Sequence, residues 1–65
     1  MLPHQERVVQ EKRDLDDKID KLRDFLHSAK FADVEAAEQG RLTRQYSLMG
    51  GYSRVLGERI AEFPS

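Results

Sequence analysis

From Arg7 to Leu26 the chain reads RVVQEKRDLDDKIDKLRDFL, and its apolar residues recur at helical spacing. Val8, Leu15, Ile19, Leu22 and Leu26 stand at steps of seven, four, three and four, which lays one narrow stripe along an α-helix. The slot at Glu11 or Lys12 lacks its apolar residue, and nearly everything off the stripe is charged. A helix with so thin a seam is not stable alone in water, so the pattern predicts that it lies on a partner. Pro3 suits a first helical turn, where its missing N–H has no partner anyway, and the predicted helix 1 runs from about His4 to His27. Asp14 with Lys18 and Asp17 with Lys21 are correctly oriented i,i+4 pairs that support it by a few tenths of a kcal/mol each, about 0.3.

The pattern breaks over residues 28–33. Asp33 is the expected N-cap of the next helix, with Glu35 in its first turn. Phe31, just outside, is expected to plug the open end of a hairpin as core rather than to stack on a ligand. Helix 2 is predicted from about Val34 to Glu62, stopped by Phe63 and Pro64. Its seam is read as Leu42, Gln45, Met49, Tyr52, Leu56, Arg59 and Phe63, with Leu48, Val55 and Ile60 widening it into a second apolar face. Gly40, Gly50, Gly51 and Gly57 each cost about 1 kcal/mol relative to alanine inside a helix, which predicts a bend near Gly50 and Gly51 or a close approach to the backbone. The expected fold is all-α: residues 1–65 form a single antiparallel helical hairpin that self-associates into a helical oligomer.

Composition leaves well-packed helices, oligomerisation or both to support the fold. With 65 residues and no cysteine, a chain of this size gets no disulfide support for its small core. The only histidines, His4 and His27, stand at no metal-ligand spacing, so no metal and no cofactor is expected. Met1 to His4 is too short and polar for a signal peptide or anchor, and no membrane span is expected. A net charge of −1 provides no basic excess for a DNA backbone. The many charges are read as the solvated faces of long helices.

No catalytic constellation is visible, and the chain is read as a non-enzyme. Ser28, Thr43, Ser47 and Ser53 have no nucleophile-elbow setting, and no phosphate-binding glycine loop is present. Two features stand out. Gln45 and Arg59 occupy expected seam positions; either Arg59 snorkels or pairs with a helix 1 carboxylate, or it faces a pocket that holds an anion. Every basic residue of helix 2 is an arginine (Arg41, Arg44, Arg54 and Arg59), the better bidentate ligand for phosphate or carboxylate.

The series His4, Arg7, Val8, Glu11, Leu15, Lys18, Ile19, Leu22, Phe25 and Leu26, then Phe31, then Leu42, Gln45, Met49, Tyr52, Leu56, Arg59, Ile60 and Phe63, covers nearly the whole chain. In these positions it resembles the hairpin domain shared by the anti-CBASS and anti-Thoeris cyclic-oligonucleotide sponges of phages. The resemblance implies a homo-oligomer, a hexamer, with cyclic di- or trinucleotide signals held between protomers and sequestered uncleaved in the bacterial host cytoplasm. It implies ligand contacts at His4, Arg7, Lys18 and Arg59, with His4 standing where relatives often carry tyrosine. A phosphate near the start of helix 1 would meet free N–H groups there, and an imidazole can stack on a purine. The alternative, from another class, is a small helical protein-interaction module or inhibitor that acts on a host protein.

Overall fold

The computed structural model describes residues 1–64 and shows two helices packed as an antiparallel hairpin. Helix α1 spans Pro3–Leu26, a short 3-10 turn spans Ala29–Asp33, and helix α2 spans Ala36–Ala61. Pro3 occupies the first helical position, and the buried Gln5 turns its Oε1 back to accept the Leu2 N–H at 2.9 Å. At the far end Glu62 N–H and Phe63 N–H donate to the carbonyls of Arg59 and Ile60, and Pro64 follows. The two ends of the chain meet: Met1, Gln5, Ile60, Phe63 and Pro64 line one cavity.

The start of α2 differs from expectation. Asp33 is the last residue of the 3-10 turn and Glu35 takes the N-cap position without a side-chain hydrogen bond. The reason is Phe31. Its ring meets Phe25 edge to face, with centroids 6.0 Å apart, and its carbonyl accepts from Val34 N–H at 3.1 Å and from Gln39 Nε2 at 2.8 Å. Docking Phe31 in this way consumes Asp33 and leaves Val34 extended, so the helix opens two residues late. Phe31 does close the loop end of the hairpin, as expected.

The α1 seam is as read: Val8 is buried, and Leu15, Ile19, Leu22 and Leu26 are half-buried. The α2 seam is shifted. Leu42, Tyr46, Met49, Ser53, Leu56, Ile60 and Phe63 face α1, whereas Gln45, Tyr52 and Arg59 are exposed. Tyr52, expected in the seam, is 46 % exposed, while Ser53 beside it is buried. The cause lies in the polar slot of α1. Lys12 fills it, its Nζ donating to Asp16 Oδ2 at 2.8 Å and to Ser53 Oγ at 3.0 Å, and Ser53 Oγ donates in turn to Asp16 Oδ1. A three-residue polar cluster thus ties the two helices and leaves no buried polar side-chain atom unpaired among the described residues.

Helix α2 runs uninterrupted through its glycines. The expected close approach occurs at Gly57 alone, where a Cβ would stand 3.3 Å from Lys12 Cε; Gly40, Gly50 and Gly51 meet nothing within 4 Å. The result is a rod of 47 × 14 × 14 Å whose buried apolar residues, among those described, are Val8 and Leu56, with Leu56 alone fully buried.

Candidate functional site

Off the seam, helix α1 carries a second periodic row. His4, Arg7, Glu11, Asp14 and Lys18 step three, four, three and four, which puts them on one flank of the helix. Arg7, Gln10, Glu11, Asp14, Leu15 and Lys18 line an open groove of about 440 Å³ with Tyr52 of α2 across from them. The Lys12–Asp16–Ser53 cluster decides that Tyr52 is there: with Ser53 turned into the seam, the neighbouring position falls on the flank.

Its charges alternate. Arg7 and Lys18 are separated by 11 residues, so at ~1.5 Å per residue their backbones lie roughly 16 Å apart, one near each end of the groove. Glu11 and Asp14 sit between. The expected Asp14–Lys18 pair does not form, because Asp14 Oδ1 accepts from Gln10 Nε2 at 2.9 Å instead; Asp17 and Lys21 do pair, at 3.1 Å. Among the described residues the ion pairs join Lys12 to Asp16, Lys21 to Asp17, Arg23 to Asp20 and Asp24, and Arg41 to Glu38, so Arg7 and Lys18 keep their charges free. Two long flexible cations of this kind are suited to two phosphates, and a tyrosine face between them suits a base or sugar.

The four expected contact residues divide. Arg7 and Lys18 come together in the groove; His4 and Arg59 are exposed and outside its lining. Arg59 pairs with no helix α1 carboxylate, and by its spacing it lies on the Tyr52 face, two turns further along α2. The start of α1 offers an anion little. Pro3 has no N–H, and the N–H groups of Gln5 and Glu6 already donate to the Leu2 carbonyl at 2.9 and 3.0 Å. Among the groove residues, the sequence reading takes Tyr52 as seam and Asp14 as the ion-pair partner of Lys18 and passes over Gln10; the second row on α1 is the signal that joins Asp14 to Arg7 and Lys18.

The Lys12 ammonium and the Ser53 hydroxyl, both bonded to Asp16, hold its carboxyl below the ordinary 3.8. Among the described residues no group of three or more His, Asp or Glu stands where it could hold a metal ion, and no helix is long and apolar enough to cross a membrane.

Comparison with known proteins gives this geometry a family. The family model described as Sequestin matches residues 2–62, which takes in both helices, the loop and every residue of the groove. The chain belongs to the Sequestin family. It is also 46 % identical over 63 residues, 97 % of this chain and 98 % of the relative, to the "Uncharacterized 7.5 kDa protein in denB-rIIB intergenic region" of Enterobacteria phage T4. No solved structure matches the chain.

Proposed function

We propose that the protein is a phage immune-evasion factor that binds cyclic oligonucleotide second messengers in the bacterial host cytoplasm and withholds them uncleaved. The observation that carries this reading is the groove in which Arg7 and Lys18, both free of ion pairs, flank Tyr52. Each cation takes one phosphate of a cyclic di- or trinucleotide, and Tyr52 supplies a stacking face. Glu11 and Asp14 between the cations repel a purely anionic ligand and accept hydrogen bonds from base amines or ribose hydroxyls, so they favour a nucleotide over inorganic polyphosphate. Membership of a family named Sequestin, and a phage relative at 46 % identity, support sequestration and its viral setting. The working form is a homo-oligomer, a hexamer, in which Arg59 of the Tyr52 face completes the pocket.

The test is a calorimetric panel of cyclic di- and trinucleotides and cyclic ADP-ribose isomers, with the ligand recovered after heat denaturation. Tight binding of one member, with intact ligand released, is the expected result. Arg7→Ala and Lys18→Ala should each weaken Kd by about tenfold or more, since a charge-assisted hydrogen bond contributes about 1.5–3 kcal/mol. Heat from none of these ligands, with the protein folded, would favour the protein-interaction reading instead. That reading has its own support in the exposed Leu48, Tyr52 and Val55.

A further inference from the structure

Helix α1 carries one ion-pair motif twice. Asp17 with Lys21 and Asp14 with Lys18 are both aspartate–lysine pairs at i,i+4, in the orientation that favours pairing, and all four residues are exposed. The structure forms one pair and leaves the other open. Lys21 Nζ stands 3.1 Å from Asp17 Oδ2, whereas Asp14 Oδ1 accepts from Gln10 Nε2 at 2.9 Å. The difference lies one turn upstream. Four residues before Asp17 stands Arg13, a cation on the less favoured, N-terminal side of its carboxylate; four residues before Asp14 stands Gln10. On an exposed helix a glutamine–aspartate hydrogen bond and an ion pair at this spacing are of similar strength, so the amide can take the carboxylate from Lys18.

The consequence falls on Lys18. Its neighbours three and four residues away are Asp14, Leu15, Lys21 and Leu22, so Asp14 is the sole carboxylate that faces it along the helix. Arg7, the other cation of the groove, needs no such help, because Glu11 follows it by four residues in the weaker orientation. We infer that Gln10 is a positioning residue of the groove: it holds the Asp14 carboxylate off Lys18, so that the ammonium is free for a phosphate before a ligand arrives. The inference rests on the nucleotide-binding reading above and deepens it. A lysine already paired would have to give up that pair on binding, and the loss would come out of the affinity. Gln10 therefore acts through Asp14 on Lys18, although it lines the same groove.

The ligand-free half is tested by double-mutant cycles on folding stability. With Gln10 in place, Asp14→Ala and Lys18→Ala should be additive. In a Gln10→Ala background they should couple by about twofold in the folding equilibrium constant, the size of one exposed i,i+4 ion pair. The cycle of Asp17→Ala and Lys21→Ala should show that coupling in both backgrounds. Coupling between Asp14 and Lys18 that is present with Gln10, or absent without it, overturns the inference. The binding half uses the cyclic nucleotide that gives heat in the calorimetric panel. Gln10→Ala should weaken its Kd about twofold in the otherwise wild-type chain and have no further effect in Lys18→Ala. Losses that multiply would make Gln10 a direct ligand contact and end its positioning role. Expected cycles with no nucleotide bound would sink the nucleotide reading while the hold of Gln10 on Asp14 stood.

Discussion

At the scale of single residues, one hydroxyl organises the hairpin. Ser53 is a small polar side chain in a seam of larger apolar ones, and it is buried because Lys12 and Asp16 use both its lone pair and its proton. Ser53→Ala should therefore cost about 1 kcal/mol, the usual net value of a lost internal hydrogen bond, measured by chemical denaturation. Asp16 ties the same cluster to pH. Its carboxyl titrates below the ordinary 3.8 in the folded chain, so the bonded carboxylate contributes stability above that value and loses it as pH falls further. The difference in melting temperature between wild type and Asp16→Asn should hold near neutrality and shrink below about pH 4; a difference that grew on acidification would contradict the assigned bonds. Seen from the sequence, this cluster was a gap in the apolar stripe of helix 1. A gap announces that something polar is accommodated, but not by which residue 41 positions away.

That gap explains, at the scale of elements, where reading and structure part. Helix α1 has a single row of apolar residues, so Val8, Leu15, Ile19, Leu22 and Leu26 could be placed without competition. Helix α2 admits two seams that share Leu42, Met49 and Leu56, and between these anchors the apolar Tyr52 outweighed Ser53 on hydrophobic pattern alone. Only the partner helix settles the choice, because Lys12 and Asp16 reach Ser53 and not its neighbour. The candidate site was legible to the same degree: Arg7 and Lys18 share a row on α1, but the groove exists only once Tyr52 faces it. The glycines are an element-scale matter too. Gly50 is helical and has open space where a Cβ would go, so Gly50→Ala should gain up to about 1 kcal/mol of helix propensity. A rise of about 4–8 °C in melting temperature is the expected reading for a domain of this size. A fall would mean that a neighbouring backbone occupies the space.

At the scale of the whole molecule, a rod 14 Å across has almost no interior. Two buried apolar side chains, Val8 and Leu56, with a half-buried seam around them, make a small core for a chain of 65 residues, and Leu48, Tyr52 and Val55 point outward. Tyr52 lines both the charged groove and the apolar cavity that Leu48 and Met49 form beside it, so a substitution there alters two surfaces at once.

The meeting of Met1, Leu2, Gln5 and Pro64 around one cavity makes the molecule a nearly closed loop in topological terms. A peptide bond through a short linker would turn it into a ring without disturbing either helix, and new ends could be opened among the exposed residues Ala29, Lys30 and Ala32 of the turn. Closing a loop of this length removes unfolded-chain entropy on the order of 4 kcal/mol, so the ring should outlast the linear chain in denaturant. The permuted chain should keep the helical spectrum while carrying its tags at the end of the rod remote from Arg7.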